Sequence, residues 1–104
     1  MVEEKSGVEL LLSPYRVLDL TDERGLLCGK MLADLGADVV QVEPPGGSTA
    51  RNLGPFYEDD IHPEKSLLWW AYAANKRGIT LNLHNVGGRE LLHRLVKDAH
   101  FLIE

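Results

Sequence analysis

The 104-residue chain has one cysteine, Cys28, so it can form no internal disulfide. That suits a reducing compartment, and a cytoplasmic location is the expectation. Long apolar runs are missing too. The longest, Leu67 to Ala74, falls far short of a bilayer's thickness, and Glu3, Glu4, Lys5 and Glu9 rule out a secretory leader in the first ten residues. Lys and Arg form no cluster, and the net charge is −5. Nucleic acid and anionic membranes are therefore poor partners. The ten glycines do not fall into G-x-G-x-x-G or Walker spacing. Glu58, Asp59, Asp60, His62 and Glu64 match neither a calcium loop nor a zinc pattern, and read as a solvated acidic loop. No metal is expected. No Ser/His/Asp arrangement and no internal repeat is present.

What is there is alternation. Tyr15 to Leu20 has the pattern of a strand. Thr21 or Asp22 is placed to cap a helix over Arg24 to Leu35, whose apolar face is Leu27, Met31 and Leu35 with Leu32 beside them. On that helix Cys28 reads as a packed thiol. Gly36 stands where a left-handed residue ends a helix. "DVVQVE", Asp38 to Glu43, is a second strand, stopped by Pro44. Gly46 to Lys65 reads as a long loop without structure of its own. Ser66 caps a helix over Leu67 to Asn75 that is apolar nearly all round, with Trp69 and Trp70 as core or interface residues. "RGITLNL", Arg77 to Leu83, alternates as a third strand. Gly87 to Ala99 is a helix with the stripe Leu91, Leu92, Leu95, Val96 and Ala99, and Phe101 to Ile103 begins a fourth strand. The order β-α-β-α-β-α-β predicts an α/β fold: a Rossmann-like, mostly parallel sheet with right-handed crossovers.

An acid at the end of the second strand, Glu43, is where a dinucleotide fold meets a ribose. A pyrophosphate, however, needs free N–H groups after the first strand. The turn there, "LTDERG", places Asp22 and Glu23 where a diphosphate would sit. An NAD or FAD site is therefore not expected.

The segments "YRVLDLTDERGLLCGKMLADLGADVVQVEPPGGSTAR", "NKRGITLNL" and "GGRELLHRLVKDAHFLIE" occur in that order. Together they closely resemble the N-terminal region of the class III coenzyme A transferases, the CaiB/BaiF family, which also includes the α-methylacyl-CoA racemases. The resemblance covers nearly all of residues 15–104. It implies the first part of a CoA-binding, Rossmann-like domain over residues 15–104; residues 1–14 before it read as a loose arm. It also implies transfer of CoA from an acyl-CoA to a carboxylic acid through an aspartyl intermediate, in an interlocked homo-oligomer. CoA or acyl-CoA is then a substrate, and no tightly bound cofactor is expected.

In that resemblance the catalytic aspartate lies beyond Glu104. Asp19, Asp22 and Asp34 match other positions, so no catalytic residue is assigned here, and the chain alone is expected to be inactive. The implied CoA contacts are Leu81, Asn82, Leu83 and His84 along the adenine, with charge from Arg51, Lys76 and Arg24. His84 stands where many members have Lys, which makes phosphate attraction there depend on pH. Pro44 stands where some members carry a CoA-contacting arginine. The turn Asp22–Glu23–Arg24 replaces a glycine- and proline-containing turn near the reacting centre. Two other readings remain: a racemase-like acyl-CoA enzyme, and a non-catalytic CoA-binding or assembly module.

Overall fold

The computed structural model describes residues 10–104. Strands β1 (Arg16–Asp19), β2 (Asp38–Glu43), β3 (Arg77–Thr80) and β4 (Phe101–Ile103) alternate with helices α1 (Leu26–Asp34), α2 (Leu67–Ala73) and α3 (Val86–Asp98). All pairings are parallel, and the spatial order is β3-β2-β1-β4. The central strands β1 and β2 are buried on both faces, so their runs of Val and Leu are nearly continuous. Successive crossovers step from β1 to β2 to β3. The chain then reverses past β1 to lay down β4. Right-handed crossovers put α1 and α2 on one face of the sheet and α3 on the other.

Ala33 of α1 packs on Val17, Val39 and Ala37, with Leu12, Leu32 and Ile103 against them. Leu26, Ala50 and Trp69 form a second cluster, joined by Leu68, Tyr72 and Ala73 from α2. Of the expected arm, residues 1–9 lie outside the described residues. Leu10 to Pro14 form a turn, tied to the end of α1 by the Leu12 N–H donating to the Leu35 carbonyl at 2.9 Å.

Several elements differ from their sequence-based expectation. The apolar face predicted for α1 is its outer face. Leu27, Met31 and Leu35 are 54%, 58% and 46% exposed, and Cys28 is exposed rather than packed. The face that meets the sheet carries Leu26, Gly29 and Ala33, because a Cβ at position 29 would overlap the Asp19 carboxylate. Close approach selects small residues there, and a periodicity count rewards large ones. Helix α1 starts at Leu26 with Gly25 as its N-cap, while Thr21 and Asp22 hydrogen-bond within the preceding turn.

The segment 46–65 is not structureless. It contains 3-10 turns over Thr49–Asn52 and Tyr57–Asp59, and Phe56 bridges Ser66. On helix α2, Trp69 is buried as a core residue, whereas Trp70 is half exposed against Tyr57. On α3, Leu91 and Val96 of the predicted stripe are exposed. Among the described residues no helix is long and apolar enough to cross a membrane.

Candidate functional site

In an open parallel sheet, ligands sit outside the carboxyl ends of the strands where the strand order reverses. Here that point lies between β1 and β4. A crevice of about 330 Å³ opens there, lined by Leu20, Thr21, Asp22, Arg24, Gly25 and Glu104. A neighbouring crevice of about 250 Å³ shares Leu20 and Glu104 and continues over the ends of β2 and β3. Its walls include Val42, Pro44, Pro45, Leu81, Leu83 and His84.

The expected CoA strip therefore borders a cavity at three of its four positions. The Leu81 N–H donates to the Glu43 carbonyl at 3.0 Å, carrying the ladder one residue past β3. The half-buried Asn82 holds the turn. Its Oδ1 accepts from the His84 N–H at 3.0 Å, and a Cβ on Gly88 would overlap its backbone carbonyl. The Arg89 guanidinium donates to the Leu83 carbonyl at 3.1 Å. His84 is exposed at the rim. Pro44 sits in the wall, so β2 offers no cation at that place.

The charged candidates divide differently. Arg24 borders the first crevice and is paired with Asp22, Nη2 to Oδ2 at 2.8 Å. The Arg24 side chain, hydrogen-bonded to Asp22, pulls that carboxyl down to about 2, so Asp22 keeps its charge.

Arg51 and Lys76 face a separate hollow of about 210 Å³ beneath α2, and both are already paired. The Arg51 guanidinium grips both oxygens of Glu43, Nε to Oε2 at 2.6 Å and Nη2 to Oε1 at 2.8 Å, and stacks 4.4 Å from the Trp69 ring. Ser48 N–H also donates to Glu43 Oε2 at 2.7 Å. The Arg51 hydrogen bonds hold the Glu43 carboxyl below its usual range. The acid at the end of β2 is thus held by Arg51 and the Ser48 N–H.

Lys76 is more deeply engaged. Its side chain is 1% exposed, and its ammonium donates to Asp19 Oδ2 at 3.0 Å, Gln41 Oε1 at 2.9 Å and the Leu26 carbonyl at 3.1 Å. All three of its donors are used. In these surroundings the charges expected of Arg51 and Lys76 at the CoA site are engaged with Glu43 and Asp19.

Sequence reasoning missed Gln41, which is buried and central to this network. A polar residue inside "DVVQVE", a strand apolar on both sides of it, was the available signal.

The comparisons with known proteins agree with this architecture. The BbsE subunit of the succinyl-CoA:(R)-benzylsuccinate CoA-transferase of Thauera aromatica is 40% identical over 92 residues, covering 88% of this chain and 22% of that protein. The succinyl-CoA–D-citramalate CoA-transferase of Chloroflexus aurantiacus is 40% identical over 96 residues, covering 89% and 23%. A crystal structure of a CaiB/BaiF family protein from Brucella suis superimposes with a TM-score of 0.80 at 36% identity, over 91% of this chain and 25% of that one. The chain thus spans about a quarter or less of the length of these relatives. With residues 12–104 answering to the model of CoA-transferase family III, the chain belongs to that family.

Proposed function

We propose that this chain supplies the CoA-facing edge of an acyl-CoA:carboxylate CoA-transferase. The observation that carries the reading is the family match along residues 12–104, on a fold whose carboxyl-edge crevice is bordered by Leu81, Leu83 and His84. Leu81 and Leu83 offer apolar wall to an adenine, Asn82 holds the turn, and Arg24 is the cation at the switch point. Both curated relatives described above are transferases, which favours transfer over racemisation.

In the proposed reaction a carboxylate attacks the acyl-CoA carbonyl, giving a mixed anhydride and CoA thiolate. The thiolate attacks the enzyme's side of the anhydride, releasing the donor acid and leaving an aspartyl-CoA thioester. The acceptor carboxylate then attacks this thioester, and the released thiolate takes the acceptor's acyl group.

The aspartates that match family positions here are unsuited to the nucleophile's role. Asp19 is locked to Lys76, Asp22 to Arg24, and Asp34 to Lys30 and Asn75. The purified 104-residue chain is therefore expected to show no exchange of CoA between succinyl-CoA and a free carboxylate. Turnover by this chain, followed by chromatography of the thioesters, would contradict the assignment of the nucleophile to a residue outside it.

A further inference from the structure

We propose that Lys76 is a positioning residue: with Asp19 and Gln41 it sets the shape of the β1–α1 turn, Leu20 to Gly25, that walls the crevice at the switch point. One ammonium grips both ends of that turn. Asp19 is the last residue of β1 and Leu26 the first of α1, and Lys76 Nζ donates to both, at 3.0 and 3.1 Å. The other oxygen of Asp19 accepts from the Thr21 N–H at 2.9 Å and its hydroxyl at 2.6 Å. The Gln41 amide donates to the Asp19 carbonyl at 3.1 Å and the Thr21 carbonyl at 3.0 Å. So the polar groups beneath the turn converge on Lys76 or on its two partners.

The arrangement has been given room. Gly29 has no Cβ where one would meet both the Asp19 carboxylate and the Lys76 ammonium. Asn75 aims the lysine: its backbone is left-handed (φ 69°), a region asparagine tolerates, and its side chain donates to Asp34 at 2.7 Å. A buried ion pair is often no better for stability than an apolar pair of similar volume. Three fixed donors on one atom do specify the path of a turn, which an apolar pair cannot. That the crevice receives a ligand rests on the CoA reading above. That the tie shapes the crevice does not.

The test is residue-resolved amide hydrogen exchange on the full 104-residue chain. It compares wild type with the neutral pair Lys76→Met/Asp19→Asn and with Gln41→Met, which keeps the ion pair. In folded variants, the Thr21 and Gly25 amides are expected to exchange about tenfold faster relative to those of Val40 and Val42, because the loss is local. If all four amides lose protection in proportion, the tie is only structural and the proposal is overturned. Unchanged protection at Thr21 and Gly25 overturns it equally. Should the double variant fail to fold, Gln41→Met carries the same readout. A CoA titration of wild type runs beside it: absence of any response at either crevice removes the CoA reading and leaves the exchange result standing.

Discussion

Asn75, Lys76 and Arg77 are consecutive, and each is held by a different aspartate. Asn75 meets Asp34, Lys76 meets Asp19, and Arg77 meets Asp38 at 2.8 Å. Their burial differs, and so do the expected costs of removing them. Lys76→Ala leaves Asp19 buried without its counter-charge and is expected to cost about 3–5 kcal/mol in urea unfolding. Arg77→Ala, at a largely exposed pair, is expected to cost about 1 kcal/mol or less. Gly29→Ala drives a methyl into the Asp19 carboxylate. It is expected to destabilise by about 1–3 kcal/mol or more, although alanine is the better helix former.

Glu43 gives the pH dependence a sign. Folding lowers its pKa through the Arg51 hydrogen bonds, so the folded state sheds the proton more readily than the unfolded chain. Its contribution is complete above its ordinary value of 4.5 and is lost as the pH falls through the folded-state pKa. Thermal melting across that acid range should show a steeper loss of Tm for wild type than for Glu43→Gln. Parallel curves would contradict the role given to Arg51.

At the scale of elements, the cap of α2 is local chemistry and was legible, whereas α1 begins at Gly25 and not at the expected Thr21 or Asp22. Ser66 was named from its position before an apolar run, and its hydroxyl accepts from the Trp69 N–H at 3.1 Å. It also donates to the Leu53 carbonyl at 2.7 Å, tying the long segment before α2 to the helix start. Ser66→Ala is therefore expected to cost about 1 kcal/mol for the cap and somewhat more through the freed Leu53 carbonyl, measured by chemical denaturation. Strands β1, β2 and β4 were legible for a similar reason, since short apolar runs bounded by turn residues need no partner to be recognised. The inner face of α1 was not. What decides that face is the Asp19–Lys76 pair beneath it, formed by residues 57 positions apart. Periodicity has no access to such a pairing. The engagement of Arg51 with Glu43, eight positions back across the turn after β2, is a loop contact that periodicity does not read either.

Across the whole molecule, large apolar side chains are exposed at Trp70 on α2, along α1 and on an edge strand. Helix α2 turns Trp69 inward, while the outer stripe of α1 and the edge strand β4 are open, with Phe101 and Leu102 56% and 44% exposed. An edge strand with apolar side chains is a template for pairing. Self-association of the chain is expected, and sedimentation velocity over a range of concentration checks it. Phe101→Lys should shift the distribution toward monomer, and a distribution indifferent to concentration would contradict the expectation.

On the proposed function, CoA meets the carboxyl edge of this sheet. The direct measurement is a CoA titration of the isotopically labelled chain, followed by amide chemical shifts. Shifts are expected at Leu81 to His84 and at Thr21 to Gly25, weakened in His84→Ala. Shifts centred on Cys28 and Asp34 along α1, with none at the ends of β1 and β3, would contradict it.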